Sequence, residues 1–244
     1  MSEKQSIRMP SEEELLKFRG LFIQQFDKCT SPKDLLLFRP INLHTLLLLN
    51  NFELWFSHPY DFNDPFDCSK TSHIYLGAID YTEILQEIRV RSFSISSNLN
   101  NMLLWAHYAD GHRGIAVTVR PNYQKLREKH IAISPIFYHL PPIPTPYSGG
   151  IEIINDMFLK KDPIWEYEKE YRLITLSTYL AKGHILRSDT TQPYFSIQNI
   201  IFGLKCPPDY RKLIKKIIKV PFFEMIKVLG NNKDPIIKSK QLLI

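Results

Sequence analysis

Glycine is scarce in this chain. Nine glycines stand against seventeen prolines in 244 residues, which predicts stiff loops and few backbone positions with positive φ. Neither G-x-x-x-x-G-K-[ST] nor G-x-G-x-x-G occurs, so no glycine loop is available to cradle phosphates. G-x-S-x-G is also missing, which removes the serine nucleophile elbow. Cysteine is limited to Cys29, Cys68 and Cys206, with no C-x-x-C pair. That usage argues for a reducing compartment and against a disulfide framework or a zinc cluster. No apolar run approaches the ~18 residues of a membrane span. The opening Met1–Glu14 is polar and acidic, so no signal peptide is expected.

Two further chemistries fail on spacing. His107 and His112 do not have the i,i+4 separation that puts two ligands on one helix face, and they read as core or capping histidines. Lys169 follows Tyr167 at two residues, not an acid, so the triplet of acidic-x-Lys metal nucleases is absent. No metal is expected.

What is present is an ordinary globular composition, 44% hydrophobic and 23% charged. A chain of this length buries a large core without a metal or disulfide staple. The net charge of +6 is a mild pull towards phosphates, too weak to make nucleic acid the default partner. No repeat, low-complexity segment or composition break divides the chain. The expected organisation is a docking helix within residues 1–30, then one α+β domain over 31–244.

Ser11 before Glu12-Glu13-Glu14 is a helix start, continued by Leu15, Leu16, Phe18, Leu21, Phe22 and Phe26. An apolar strand over 34–39 ends on Arg39 and is stopped by Pro40. Asn42 caps a helix through Leu49, and Glu53–Ser57 is a strand. The loop His58–Asp67 mixes turn formers, acids and aromatics, including Asn63, Asp64 and Phe66, and suits a site wall. Tyr81–Ile88 reads as helix, Arg91–Ser97 as strand, Asn100–Ala109 as helix, Gly114–Val119 as strand and Asn122–Lys129 as helix. Ile131–Tyr138 reads as strand and Ile151–Leu159 as helix. Asn199–Leu204 and Phe222–Val228 read as strands around an amphipathic helix over Pro208–Lys219, and Ile236–Ile244 as an edge strand.

The most unusual stretch is Trp165-Glu166-Tyr167-Glu168-Lys169-Glu170-Tyr171-Arg172-Leu173. Read as a strand, it puts Glu166, Glu168, Glu170 and Arg172 on one face. Carboxylates leading into an apolar strand are costly to bury unless paired. Either cations such as Arg172 neutralise them structurally, or they line a cleft and do chemistry. If the strands meet, Arg39 is placed to grip a diphosphate. A serine of the strand 91–97 supports a glutamate, and a carboxylate stabilises positive charge on a sugar carbon as a leaving group departs.

Beyond these residue-level readings, several blocks resemble a bacterial family known mainly as a domain of unknown function. They are Leu-Leu-Phe-Arg-Pro-Ile-Asn (36–42), Glu-Leu-Trp-Phe-Ser (53–57), Phe-Asn-Asp-Pro-Phe-Asp-Cys (62–68) and Phe-Ser (93–94). Leu-Leu-Trp-Ala-His-Tyr-Ala-Asp-Gly-His-Arg-Gly (103–114), Trp-Glu-Tyr-Glu-Lys-Glu-Tyr-Arg-Leu-Ile (165–174) and Ile-Ile-Phe-Gly-Leu-Lys-Cys (200–206) continue the series. The strand-end arginine, the serine strand and the Glu-x-Glu block are in turn similar to the Arg–Ser–Glu pattern of ADP-ribosyltransferases, which cleave NAD at the nicotinamide bond.

That resemblance implies a split, strongly bent sheet with flanking helices. It implies NAD as substrate, Arg39 on its phosphates or ribose, Glu170 as the catalytic glutamate, Glu168 serving the acceptor and Ser94 supporting the site. Phe66, Trp105 or Tyr108 would stack on nicotinamide or adenine, with Asn63 and Asp64 in the same wall. Phe-Ser-Ile-Ser-Ser departs from a clean Ser-Thr-Ser, so Ser94 and Ser96 both remain candidates, and Glu166 leaves the register of the catalytic acid open. The implied partner is a protein or nucleic-acid acceptor of ADP-ribose. The implied setting is the bacterial cytoplasm or delivery into a host cell. The alternatives are a nucleic-acid-binding or nucleic-acid-processing defence protein using Lys212, Lys215 and Lys216, and a catalytically inert binding module.

Overall fold

A computed structural model of the chain describes residues 7–25, 32–62, 64, 67, 75–76, 78–138, 158–188, 193–229 and 235–242. The strands of its main sheet are β1 (Leu35–Arg39), β2 (Ile88–Ile95), β3 (Ile115–Pro121), β4 (Ala132–Pro135), β5 (Glu170–Leu176), β6 (Phe195–Phe202), β7 (Phe222–Leu229) and β8 (Pro235–Gln241). The α-helices named here are α1 (Glu12–Gln25), α2 (Leu43–Asn51), α3 (Met102–Tyr108), α4 (Tyr123–Glu128) and α5 (Pro208–Ile217). The eight strands form one sheet in the order β8-β7-β6-β3-β1-β2-β5-β4. The architecture is mixed α+β. Neighbours in this sheet are antiparallel except β6 and β7, which run parallel and are joined across α5, as a parallel pair requires a crossover.

Local chemistry explains most element boundaries. Asn42 accepts from the Thr45 N–H at 3.1 Å and starts α2, and Asn122 accepts from Lys125 N at 3.2 Å and starts α4. At α1, Ser11 and Glu14 exchange a reciprocal pair: Ser11 N donates to Glu14 Oε2 at 2.8 Å, and Glu14 N donates to Ser11 Oγ at 3.3 Å. Phe18 is the buried anchor of α1 and stacks on Tyr81 at 4.3 Å between centroids. Leu16 and Leu21 face outwards instead of packing, while the side chain of Phe22 and all of Phe26 lie outside the described residues.

Alternation along the strands fills both faces of the sheet. Leu35, Leu37, Phe93, Val117, Leu173 and Ile200 form one core with α2 and α5. Leu36, Phe38, Ala116 and Ile201 face the other way and pack against Leu104 and Trp105 of α3. On that second face, further along, Val90 and Ile174 pack with Phe18, Tyr81 and Phe158.

Several expectations are corrected. The sheet is continuous, not divided into two, because two residue pairs, Leu35↔Ile95 and Leu36↔Ser94, still join β1 to β2. All five residues of β1 pair with β3. Continuing the β1–β2 register would set Leu37, Phe38 and Arg39 opposite Phe93, Ser92 and Arg91, and those pairs are not made. β2 instead stays paired with β5 from Glu170↔Ser94 to Leu176↔Ile88. The two strands therefore part after Leu36, and the sheet opens there.

The acidic stretch is not one strand. Pro163–Glu168 is a 3₁₀ turn, and only at Glu170 does β5 begin. Pro163 has no N–H to give a ladder, and Asp162 accepts from Ile164 N at 2.9 Å. Lys169 then reverses the chain with φ of 45°. Thr82–Glu87 is likewise 3₁₀ rather than α-helical. The strand expected over 131–138 is interrupted at Ile136, whose N–H goes to Glu170 O at 3.0 Å. Most of the helix expected over 151–159 lies outside the described residues.

Candidate functional site

A cavity of about 240 Å³ occupies the place where β1 and β2 part. Cross-strand partners share a face, so Ser94 and Ser92 lie on the same face as Glu170 and Arg172. Arg39 and Arg91 project to the opposite face by alternation along their strands. Both sets line the cavity, because it runs between the strands rather than over one face.

The carboxylate wall is held by a buried ion network. Lys161 Nζ lies 2.7 Å from Glu168 Oε2, 3.2 Å from Glu170 Oε2 and 3.8 Å from Asp67 Oδ2. Arg172 is fully buried; its Nε donates to Glu170 Oε1 at 2.7 Å and its Nη1 to Asp67 Oδ1 at 3.0 Å. Nη1 also donates to the Phe158 carbonyl at 2.8 Å. The guanidinium lies 5.1 Å from the Phe62 ring centroid. Lys161 is 4.9 Å from the Trp165 centroid. Among the described residues, the carboxylates Asp67, Glu168 and Glu170 face the cations Lys161 and Arg172 in this network.

The two glutamates differ in state. Burial pushes both carboxyls upward. At Glu170 the neighbouring Arg172 and Lys161 more than offset burial and hold the carboxyl at about 2. At Glu168 burial prevails over Lys161, with Glu170 adding repulsion, and its affinity for a proton is raised. Tyr108 donates its hydroxyl to Glu168 Oε1 at 2.5 Å, and its own ionisation is pushed far up by burial first and by Glu168 second.

The backbone around Glu168 is clamped. Ser94 Oγ donates to the Glu168 carbonyl at 2.6 Å. Asn98 Nδ2 reaches that carbonyl at 2.9 Å and the Tyr167 carbonyl at 2.8 Å, and Asn101 Nδ2 donates to Tyr167 O at 2.9 Å. Tyr138 Oη accepts from Glu170 N at 2.7 Å. The turn and the first residue of β5 are thus tied to β2 and to the 137–138 segment.

On the other side of the opening the charges are uncompensated. Burial lowers the proton affinity of Arg39, and burial together with Arg39 lowers that of Arg91 strongly. Among the described residues neither guanidinium forms an ion pair, and Arg91 Nε is enclosed with no hydrogen-bond partner.

Arg39, Ser94, Tyr108, Glu168 and Glu170 are therefore brought together at one cavity. Other expected members are not. Trp105 is a core residue: its Nε1 donates to Leu99 O at 2.8 Å, and it meets Phe38 edge-on at 5.1 Å, so no face is free for a ligand. Ser96 is exposed in a 3₁₀ turn beyond the end of β2, away from the lining. Glu166 is exposed as well, because the 3₁₀ turn rotates it off the face that a strand would have given it. Asp64 is buried but does not line the cavity, whereas Asp67 does. Asn63 and Phe66 lie outside the described residues.

Lys161, Asn98 and Arg91 were not expected at the site, and Asp67 was expected only as the last residue of the wall loop 58–67. Arg91 carried little signal, since it stands at the start of the strand expected over 91–97, whereas the strand begins at Ile88 and holds Arg91 in its interior. Lys161 had none, standing in a polar segment before Pro163.

Among the described residues no group of three His, Cys, Asp or Glu side chains is placed to hold a metal ion, and no helix is long and apolar enough to cross a membrane. The basic residues of α5 lie outside the cavity; Arg211 pairs with Glu224 at 2.7 Å, and Lys212 lies 3.6 Å from Asp209. Comparison with protein-family models, curated proteins and solved structures gave no match.

Proposed function

We propose that this cavity cleaves the N-glycosidic bond of NAD and passes ADP-ribose to a macromolecular acceptor, or to water when no acceptor is bound. One observation carries the reading: Arg39 and Arg91, without an ion-pair partner among the described residues, share a cavity with a clamped Glu168/Glu170 pair. Such a cavity has one end suited to a diphosphate and another suited to a sugar carbon that becomes positive.

In this reading the bond from the ribose anomeric carbon to the nicotinamide nitrogen breaks. Nicotinamide leaves as a neutral base with the bonding pair. Ionised Glu170 stabilises the oxocarbenium charge and accepts from a ribose hydroxyl. The acceptor, a water or a side-chain nucleophile, forms the new bond to that carbon and gives its proton to Glu168, whose raised proton affinity suits a general base. Ser94 and Asn98 fix the backbone that carries Glu168. Tyr108 orients its carboxylate.

The assay is purified protein with NAD labelled in either half. Wild-type protein is expected to release nicotinamide, and Glu170→Gln is expected to lower that rate by at least about a hundredfold. Equal release by both proteins would sink the assignment of Glu170.

The full pairing of Glu170 with Arg172 and Lys161 favours a second reading, a binding module that holds a nucleotide without turning it over. A rise in melting temperature with NAD but no nicotinamide release selects it. Salt-sensitive nucleic-acid binding that weakens when Lys212, Lys215 and Lys216 become alanine selects the nucleic-acid alternative instead.

A further inference from the structure

The two cations on the far side of the opening have a meaning of their own. Both are half-buried and line the cavity; burial disfavours the charge of Arg39, burial and then the Arg39 charge disfavour that of Arg91, and among the described residues no carboxylate pairs with either. Every buried cation on the carboxylate wall is paired: Lys161 with Glu168 and Glu170, Arg172 with Glu170 and Asp67. A half-buried charge without a partner gives up part of its hydration for nothing in return, which makes two such neighbours a poor structural device. Arg91 Nε in particular is a donor that no described group accepts. A guanidinium offers planar, bidentate donation, the geometry that suits phosphate oxygens.

We propose that Arg91 and Arg39 together form an anion-receiving end of the cavity, and that a phosphate or pyrophosphate group is what neutralises them. The parting of β1 and β2 gives this group access, because the register that would have placed Arg39 opposite Arg91 as a ladder pair is abandoned there. The assignment of that group to a nucleotide rests on the proposed glycosidic reading; the anion end itself does not. Arg91 is a binding residue in this scheme and takes no part in bond breaking.

The test is calorimetric titration of the full chain with inorganic pyrophosphate, with ADP-ribose and with succinate, for wild type, Arg91→Gln and the surface control Lys212→Ala. Pyrophosphate and ADP-ribose are expected to bind wild type and the control alike, and to lose about tenfold or more in affinity on Arg91→Gln. Ligand-free Arg91→Gln is expected to melt at or above the wild-type temperature, since it removes an uncompensated charge.

Unchanged pyrophosphate affinity in Arg91→Gln overturns the proposal. So does a variant that fails to fold, which would make Arg91 structural. Succinate binding as tightly as pyrophosphate overturns the phosphate assignment. Pyrophosphate binding that Arg91→Gln abolishes, in a protein that never cleaves NAD, upholds the anion end and removes the glycosidic reading. NAD cleavage with an unchanged KM in Arg91→Gln does the reverse.

Discussion

Arg172 is the residue whose removal most sharply tests the electrostatics of the carboxylate wall. It is fully buried, and Arg172→Met keeps most of its length while deleting the guanidinium. The variant leaves Glu170 with Lys161 at 3.2 Å as its remaining cation, leaves Asp67 with Lys161 at 3.8 Å, and takes a donor from the Phe158 carbonyl. Breaking one side of a buried pair costs about 3–5 kcal/mol, and Lys161 keeps the figure towards the lower part of that range. Loss of the donor to the Phe158 carbonyl adds about 1 kcal/mol, for a total of about 4 kcal/mol. For a chain of this size that lowers the melting temperature by roughly 8–16 °C.

The loss carries a pH signature. Glu170 is held at about 2 against an ordinary 4.5, so its stabilising contribution is complete above the unfolded value and is lost as pH falls towards about 2. Without Arg172 much of that depression goes. The gap between wild type and variant is therefore widest at neutral pH and narrows through the acid range. Urea denaturation at a series of pH values between neutrality and the acid limit of the folded state measures it. Adding Glu170→Gln to Arg172→Met is expected to recover part of the loss at neutral pH. A loss below about 1 kcal/mol, or one that is the same at every pH, would refute the reasoning.

Three further outcomes are expected. Glu168 is held above the ordinary carboxyl range and Lys161 opposes that rise, so the acidic limb of NAD cleavage lies above the usual carboxylate range; it moves to still higher pH in Lys161→Met and disappears in Glu168→Gln, and a limb that stays in place in Lys161→Met contradicts this. A Cβ on Gly114 would sit 2.1 Å from the Arg39 carbonyl oxygen, so Gly114→Ala displaces the end of β1, costs about 1–3 kcal/mol and weakens pyrophosphate binding; a variant with wild-type melting and affinity shows that β1 yields freely. Asn98→Ala removes donors from the carbonyls of Tyr167 and Glu168, costs about 1–3 kcal/mol, and lowers kcat more than it raises KM; equal stability to wild type shows that the turn is held without it.

Short-range chemistry was legible in the chain. Pro40 after Arg39, Asn42 as a cap, and Ser11 as the start of α1 each act over a few residues, and the structure uses them as the sequence suggests. The amphipathic period of α5 is of the same kind, since it needs only one buried side facing the sheet. The acidic stretch misled because strand alternation and a 3₁₀ turn compete for the same residues, and Pro163, Asp162 and the left-handed Lys169 decide it together. Trp105 misled for another reason: an aromatic on a short helix reads equally as core or as ligand platform, and only the neighbouring Phe38 and the Leu99 carbonyl settle it as core.

The sequence by itself determined that charges stood where burial was expected: Arg39 at a strand end, Glu168 and Glu170 beside an apolar run. Burial and charge are properties of single positions, and pattern reveals them. Which charges meet depends on register between strands far apart in the chain. Only the tertiary structure decided that β1 leaves β2 after Leu36 and that Lys161 and Arg172 take the glutamates. The same register leaves Arg39 and Arg91 across the opening without a partner among the described residues. That choice rests on hydrogen-bond pairing and side-chain packing summed over the whole sheet, which no local stretch of sequence contains.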